Sequence, residues 1–253
     1  SFGLIIGYWN YRMNRLANAV LIIESYTTQQ LNNNPYKLII LKSLMKKDKQ
    51  AEIWSSEFGN SYTERNDLTQ EELDNLYINN FGISRTELNK EFLSGLNKSI
   101  KVLDVGCNTG MQLLNLKNLG FGNLTGIDIS KSGLKIAKRN LPEANFLEVS
   151  ALNIPFKNGE FGLVFTSGVL IHIHPDNLPR VIDEIYRVNN KYIWCYEYFS
   201  ENCEDIGYRG NKNMLWKNNF MKLFLDRYGD LKIVKEKKLK YKNGDNIYVM
   251  FLL

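Results

Sequence analysis

From residue 100 onward, short β-branched and aromatic runs alternate with amphipathic stretches, and no other feature of the chain constrains the fold as strongly. This alternation is typical of βαβ units, in which helices connect parallel strands. Strands are predicted over residues 100–105, 124–129, 145–149, 161–166 and 192–198, with helices over 111–119, 131–139 and 177–188. At 253 residues the chain is long enough for one such domain with additional segments.

The C-terminal part has a different pattern. A helix is predicted over residues 214–228, and two strand-like runs follow at 231–240 and 246–252. They meet around Asn243-Gly244, a dipeptide favoured in tight hairpin turns. The sequence therefore predicts an α/β fold with a mostly parallel, Rossmann-like sheet of seven strands, closed by a C-terminal antiparallel hairpin.

The N-terminal part divides into two segments. Residues 1–44 are patchily hydrophobic and do not continue into the later pattern, so we interpret them as an extension that carries no chemistry. Met45 looks like an initiator methionine. Residues 45–98 are expected to form a helical cap or lid on the domain that residues 99–253 make up.

Composition narrows the location and the partners. The three cysteines lack metal-type pair spacing, which favours reduced thiols over disulfides or a metal site. The longest apolar runs fall well short of the roughly 18 residues of a membrane-spanning helix. The net charge of +5 is mild, and the alternating lysines of residues 232–242 are typical of a guarded strand edge. We expect a cytoplasmic protein without nucleic-acid or membrane partners; its oligomeric state stays open.

The turn after the first predicted strand carries the sharpest motif. Asp104-x-Gly106-Cys107-Asn108-x-Gly110 matches Asp-x-Gly-x-Gly-x-Gly, with Asn108 in the place of the middle glycine. Glycine lets the backbone approach a cofactor closely, and asparagine is among the few other residues that tolerate left-handed dihedrals. A phosphate loop or a nicotinamide fingerprint would need a different spacing. These residues are predicted to bind a nucleoside cofactor, with a plain strand-to-helix turn as the alternative.

Two further turns lie at the same predicted edge of the sheet. The second strand ends at Asp128 and Ile129, where a carboxylate is suited to the two ribose hydroxyls of a nucleoside. A helix N-cap would also explain Asp128. After the third strand, Ser150, Ala151 and Leu152 form a small polar turn that is predicted to border the adenine.

The fourth strand leads into Ser167, predicted to bind the cofactor, and then into the two histidines of the chain, His172 and His174. His172 is the predicted general base, because imidazole titrates near neutrality and can take a proton from a hydroxyl or an amine. Glu197, near the end of the fifth strand, is predicted to orient His172 or the acceptor. His174 and the neighbouring Tyr198 are predicted to contact the acceptor. The alternatives are local capping or packing for His174 and a surface carboxylate for Glu197.

Together these residues resemble the class I S-adenosylmethionine-dependent methyltransferases, and more narrowly the pseudaminic acid biosynthesis-associated methylase family. The similarity spans residues 50–253, and beyond the cofactor loop it includes residues 52–66, 168–175, 196–198, 206–210 and 226–232. It implies the class I methyltransferase fold, S-adenosylmethionine as cofactor, and methylation of a nonulosonic (pseudaminic) acid sugar or its precursor. Residues 54–66 then look like a lid over the cofactor.

The segment after the fifth strand begins at the carboxyl edge of the sheet, where ligands of open α/β sheets bind. Tyr208 and Arg209 are therefore predicted to recognise the acceptor. Tyr208 would stack on a sugar face, and the planar guanidinium of Arg209 would bind a carboxylate or a phosphate. The alternative is a surface loop in which Arg209 pairs with Glu204 or Asp205.

The predicted mechanism is direct displacement at the sulfonium, in which the protein aligns the acceptor, excludes water and removes a proton without a metal. Two other functions stay open at this point. One is a nicotinamide-dependent oxidoreductase, and the other is a non-catalytic protein that binds the cofactor or serves as a scaffold.

Overall fold

A computed structural model describes residues 49–242, 244 and 246–253. The predictions for residues 1–44, for Met45 and for Asn243 in the hairpin turn lie outside these residues. Within them, no helix has the length and apolar character that crossing a membrane requires.

In the described part of the chain, four helices precede the sheet. Serine or threonine caps the second, third and fourth of them, and in the last two the N-cap forms a capping box with a glutamate three residues later. The helices are α1 (Lys49–Trp54), α2 (Glu57–Arg65), α3 (Gln70–Phe81) and α4 (Arg85–Leu93).

The predicted alternation of strands and helices is confirmed. Five parallel strands are β1 (Lys101–Val105), β2 (Asn123–Asp128), β3 (Asn145–Glu148), β4 (Phe161–Ser167) and β5 (Asn189–Phe199). The helices between them are α5 (Met111–Asn118), α6 (Lys131–Asn140) and α7 (Leu178–Val188). The shift by one to three residues at several boundaries leaves the order of elements unchanged.

The C-terminal elements complete the sheet. They are the short strands β6 (Glu204–Asp205) and β7 (Trp216–Lys217), helix α8 (Phe220–Arg227), and the strands β8 (Lys235–Lys240) and β9 (Ile247–Leu252). β9 pairs antiparallel with β5 and with β8, so the order in the seven-stranded sheet is β3-β2-β1-β4-β5-β9-β8. The predicted seven-stranded sheet with its antiparallel C-terminal hairpin is confirmed.

Two apolar layers cover the faces of the sheet. Alternate residues of a strand point to opposite faces, so Leu103 and Val105 pack with α7 and α8, while Val102 packs with α4, α5 and α6. Because both faces are buried, the strands are nearly continuous apolar runs, as expected for a parallel sheet. Polar side chains at the strand ends, such as Asp128 and Ser167, therefore lie at the edge of the sheet and are partly accessible.

The helix predicted over residues 214–228 is wrong in its first half, since α8 covers only Phe220–Arg227. Trp216 and Lys217 instead pair with Glu204 and Asp205 in a two-stranded ribbon, and Asn219 caps α8 by accepting a hydrogen bond from Lys222 N at 3.1 Å. The physical reason is a long-range pairing that helical periodicity in one segment does not reveal.

Candidate active site

The glycine turn lies at the carboxyl end of β1, against β2. Gly106, Asn108 and Gly110 have φ values of 82°, 42° and 74°, so the left-handed conformation predicted for Asn108 is present. The amides of Gly106 and Cys107 both donate to the carbonyl of Ile127, at 2.8 and 3.0 Å. A Cβ on Gly106 would lie 2.5 Å from the Val169 side chain. The close packing of this turn explains why glycine is required there.

Asp128 ends β2 and anchors the same turn. Its two carboxylate oxygens accept hydrogen bonds from Asn108 N at 2.8 Å and from Ser130 N at 2.7 Å. The N-cap of α6 is Ser130, which accepts from Gly133 N at 3.1 Å, so Asp128 does not cap the helix. Burial raises the pKa of Asp128, although these hydrogen bonds oppose the shift. Each oxygen has a further lone pair with which to accept a ligand hydroxyl.

Asp104 lies near the end of β1 with 2% of its surface exposed. Burial and the charge of Asp128 raise its pKa well above the usual range, and the charge of Arg85 opposes this. Burial alone therefore favours the neutral acid, and a cation placed beside Asp104 would favour the carboxylate.

Arg85 is a residue that the sequence analysis missed. It is fully buried, and its guanidinium carbon lies 4.5 Å from the centroid of the Tyr196 ring. Nε donates to Asn89 at 2.9 Å and Nη1 donates to Tyr77 at 2.8 Å, while Nη2 has no partner among the described residues. The helical spacing of Arg85 with Leu88, both on the buried face of α4, is the signal that would have identified it.

The predicted adenine turn follows β3. Val149 N donates to the carbonyl of Asp128 at 2.9 Å, which holds the turn beside the end of β2. Ser150 Oγ accepts from Leu152 N at 3.2 Å. Ala151 and Leu152 pack against the apolar layer, and Ile129 and Ser150 are half-buried. The residues are therefore adjacent to Asp128, as predicted, and partly accessible.

His172 lies in the 3₁₀ turn Leu170–His172 that follows β4. Its Nδ1 is 2.8 Å from the carbonyl oxygen of Met214. Because a carbonyl only accepts hydrogen bonds, the proton is on Nδ1 and the lone pair is on Nε2. Burial lowers the pKa of His172 to about 4, so the imidazole is neutral at pH 7. A neutral imidazole can accept a proton at Nε2, but a pKa of about 4 makes His172 a weaker base than the imidazole titrating near neutrality that the sequence led us to expect.

An aromatic wall surrounds His172, formed by Trp54, Phe58, Tyr62 and Tyr208. The rings of Trp54, Tyr62 and Tyr208 have their centroids 4.5, 6.2 and 5.4 Å from that of His172, and Phe58 lies 5.3 Å from Trp54. Burial raises the pKa of Tyr62. Tyr208, which is predicted to recognise the acceptor, thus lies beside His172, whereas the role of Trp54 in this wall was not predicted beyond its place in the lid segment.

Glu197 is fully buried beneath the turn that carries His172. Its carboxylate oxygens accept from Val169 N at 3.1 Å and from Ile171 N at 3.4 Å. Burial raises the pKa of Glu197 to about 7, against the effect of hydrogen bonds from the turn backbone. The carboxylate thus contacts the backbone before His172 and is not a surface group.

Ser167, His174 and Tyr198 have more local surroundings. Ser167 is half-buried at the end of β4. His174 Nδ1 accepts from Asp176 N at 3.2 Å, which is the local capping contact considered as its alternative. The ring of Tyr198 lies 3.9 Å from that of Tyr248. These contacts give His174 and Tyr198 a packing role, and their predicted contact with an acceptor stays a prediction.

Tyr208 and Arg209 belong to a tight turn. Tyr208 N donates to Asn211 O at 2.8 Å and Asn211 N donates to Tyr208 O at 3.0 Å. The central residues Arg209 and Gly210 have φ values of 50° and 80°, as in a type I′ turn. The alternative pairing of Arg209 with Glu204 or Asp205 is not present, since Glu204 accepts from Ser200 and Asp205 accepts from Asn213 N.

Comparison with known sequences identifies the central segment. Residues 102–191 match the family model described as methyltransferase domain. An uncharacterized methyltransferase of Synechocystis sp. is 38% identical over 88 residues, which are 35% of this chain and 41% of that protein. A demethylmenaquinone methyltransferase of Listeria welshimeri is 32% identical over 103 residues, 38% of this chain and 43% of that protein. The chain spans less than half the length of these curated relatives.

Solved structures share the fold at lower identity. The 1,6-didemethyltoxoflavin-N1-methyltransferase of Burkholderia thailandensis, solved with its substrate and S-adenosylhomocysteine, has a TM-score of 0.60 at 15% identity, covering 81% of this chain and 88% of that one. Geranyl diphosphate C-methyltransferase of Streptomyces coelicolor has a TM-score of 0.55 at 12% identity, covering 66% and 77%. At these identities the similarity establishes the Rossmann-like methyltransferase fold.

The predicted fold class is therefore confirmed, and residues 102–191 match a methyltransferase domain. The prediction of this cofactor agrees with the domain match and with the S-adenosylhomocysteine bound in related folds. None of these relatives bears on the predicted sugar acceptor.

Proposed function

We propose that this protein transfers the methyl group of S-adenosylmethionine to a hydroxyl or amino group of a small-molecule acceptor, with His172 as the general base. The acceptor we propose is a nonulosonic acid sugar of the pseudaminic type or its precursor. The observation that carries the proposal is the neutral imidazole of His172, with Nδ1 held by the Met214 carbonyl and Nε2 free to accept a proton.

The residues at the strand ends fit the cofactor. Gly106, Asn108 and Gly110 form a backbone cradle through their left-handed dihedrals, and Asp128 has lone pairs to accept from ribose hydroxyls. Asp104 would bind the amino group of the methionine part, because a buried carboxylate gains a cationic partner there. Bound S-adenosylmethionine supplies an electrophilic methyl group on a sulfonium.

His172 takes the proton of the acceptor group during transfer. The hydrogen bond from Nδ1 to Met214 fixes the tautomer and the orientation of the ring, so that Nε2 is presented for the proton. Glu197 acts as a positioning residue in this proposal: by accepting from Val169 N and Ile171 N, it fixes the short turn on which His172 lies.

Helices α1 and α2 act as the lid in this proposal. Gln50 of α1 donates to the carbonyl of His172 and accepts from His174 N, both at 2.6 Å. Thr63 of α2 is 3.2 Å from the side chain of Asn108 and 3.3 Å from that of Ser130. The helices therefore contact both the proposed base and the cofactor turn, where excluded water would strengthen electrostatic interactions.

The sugar acceptor is supported by where the family-like segments meet. Residues 52–66, 168–175 and 206–210 are far apart in the chain, yet Trp54, His172 and Tyr208 form one cluster. Similarity that includes this cluster goes beyond the cofactor loop and supports a shared acceptor class. Aromatic side chains also suit the apolar faces of a sugar ring. A cytoplasmic location is part of the same proposal.

The proposal is tested with labelled S-adenosylmethionine, candidate nonulosonic acids and nucleotide-linked forms, with the labelled product identified by mass. We expect the wild type to label one of these sugars. His172→Asn is the matched variant, because its amide can still donate to Met214 while it offers no base. Binding of the cofactor without labelling of any sugar, or of any small molecule in a cell extract, would instead favour a non-catalytic binding protein.

A further inference from the structure

We propose that the groove between α2 and the turn at residues 208–211 is an anion subsite, in which Arg65 and Arg209 bind a carboxylate or phosphate of the acceptor. This inference rests on the proposed methyl transfer, since it specifies the chemical class of the acceptor at the same site. Nothing in the sequence analysis assigned Arg65 a role.

The groove has a volume of about 430 Å³ and lies beside the aromatic wall. Phe58 contributes to both, because it lines the groove and its ring lies 6.1 Å from that of Tyr208. The groove is lined by Glu57, Phe58, Ser61, Arg65, Arg209 and Asn211.

The groove contains more positive than negative charge. Among the described residues, neither Arg65 nor Arg209 forms an ion pair, whereas Arg187 and Arg227 are each paired with a carboxylate. Two guanidinium groups face one carboxylate, that of Glu57, so the groove carries a net charge of one positive unit. An anionic ligand would supply the ion-pair partner that neither arginine has among the described residues.

The backbone at Arg209 supports the same conclusion. Its φ of 50° is the left-handed conformation at the first central position of the turn, which asparagine, aspartate and glycine favour. A longer side chain in such a conformation is strained, and strained residues cluster at ligand sites. The strain places a planar fork of donors on the wall of the groove, where it suits bidentate binding of a carboxylate or phosphate.

Tyr208 connects the groove to the surroundings of the proposed base. Tyr208 precedes Arg209, and its ring lies 5.4 Å from that of His172. An acceptor with its anion on Arg209 would therefore extend past Tyr208 toward His172. The two arginines would fix the acceptor at the end opposite to the reacting group, which aligns that group for transfer.

Isothermal titration calorimetry on the full chain with S-adenosylhomocysteine tests the subsite. The probes are pseudaminic acid, its neutral methyl ester and its nucleotide-linked form, which separate a carboxylate from a phosphate. We expect Arg65→Gln and Arg209→Gln each to weaken binding of an anionic probe about 10–100-fold, the loss typical of hydrogen bonds to charged groups. Arg180→Gln, on the exposed surface of α7, removes the same charge elsewhere and should leave binding unchanged.

Arg209→Lys sharpens the test, because lysine keeps the charge and loses the fork. We expect it to bind the anionic probe more weakly than the wild type does. Equal binding of acid and ester, no binding of either the carboxylate or the phosphate probe, or equal losses in Arg180→Gln and Arg209→Gln would overturn the subsite.

Methyl transfer measured on the same samples separates the two proposals. Anion binding that depends on both arginines, without any methyl transfer, would leave the subsite standing and overturn the proposed function. Methyl transfer with an unchanged Michaelis constant for the acceptor in both arginine variants would support the proposed function and overturn the subsite.

Discussion

The two ends of the parallel strands differ in how their polar groups are satisfied. At the carboxyl ends, His172 is half-buried and Glu197 is fully buried, and their pKa values are shifted to about 4 and about 7. At the amino ends, Arg187 donates to the Ile154 and Phe156 carbonyls, at 2.8 and 2.7 Å, and to Glu184 at 2.8 Å. Burial thus dominates the pKa shifts of His172 and Glu197, whereas the hydrogen bond with Glu184 is the largest cause of the raised pKa of Arg187 at the other edge.

The larger cleft lies at the amino ends of the strands, away from the candidate site. The groove at the amino ends, which Asp183, Arg187 and Tyr228 help to line, has a volume of about 980 Å³, more than twice that beside Arg209. Burial raises the pKa of Glu184, but hydrogen bonds from Arg187 and Ile154 N outweigh it, and the pKa is lowered overall. The comparison indicates that pKa shifts caused by burial, and not the volume of a cleft, identify the candidate site in this fold.

The largest expected effect is on catalysis. His172→Ala should lower kcat by about 10²–10⁴-fold, as is typical for loss of a general base, while the Kd for S-adenosylmethionine changes little. Steady-state kinetics and calorimetry measure the two quantities once an acceptor is known. If cofactor affinity fell as much as kcat, His172 would have a structural role. The carboxyl edge would then differ less from the amino edge than proposed.

Glu197 provides a test through pH. Its pKa is raised in the folded protein from 4.5 to about 7, so its contribution to stability is complete below pH 4.5 and is lost as pH rises to about 7. Relative to Glu197→Gln, the wild type should lose on the order of 3 kcal/mol of unfolding free energy across this window. Urea unfolding at a series of pH values measures the difference.

The same variant has a kinetic consequence. In Glu197→Gln one of the two accepting oxygens is replaced by an NH₂ group, which only donates. Val169 N or Ile171 N then loses its acceptor, and the turn before His172 loses a hydrogen bond. We expect kcat to fall roughly tenfold, which corresponds to about one lost hydrogen bond. A constant stability difference at all pH values, together with an unchanged kcat, would contradict the positioning role.

Asp128→Ala should weaken binding of S-adenosylmethionine by on the order of 1.5–3 kcal/mol, the range for hydrogen bonds that involve a charged group. Asp183→Ala is the matched control at the opposite edge, where Asp183 accepts from Arg227 Nη2 at 2.7 Å. The control should leave the affinity unchanged. Calorimetric titration measures the affinity of both variants for S-adenosylmethionine. If Asp128→Ala binds the cofactor as tightly as the wild type does, Asp128 is not part of the cofactor site.

The smallest effect is expected at the amino edge. Arg187→Met should lower the free energy of unfolding by about 1–3 kcal/mol, because it leaves Glu184 and two carbonyls without their donor. Cofactor affinity and kcat should stay the same. Any marked loss of activity in a variant with a normal Tm would show that the amino edge also takes part in function.

The strands and helices that depend on local sequence pattern could be predicted from the sequence. β-branched runs and amphipathic periods identified β1 to β5 and the helices between them, because both faces of the sheet are buried and the pattern repeats. The helix predicted over residues 214–228 failed in its first half for the opposite reason. Its beginning pairs with residues 204–205, and such pairing depends on contacts that no local period encodes.

In the candidate site, the sequence by itself determined the glycine turn with Asn108, the carboxylate of Asp128 after β2 and the histidine after β4. Each of these residues lies at or just after the end of a predicted strand, and the carboxyl ends of parallel strands meet at one edge of the sheet. Only the tertiary structure decided that Trp54 packs on His172, that Met214 fixes the His172 tautomer, that Arg85 is buried and that Arg65 and Arg209 line one groove. The physical reason is that these contacts join segments distant in the chain, and burial sets charge and tautomer only after those segments have packed.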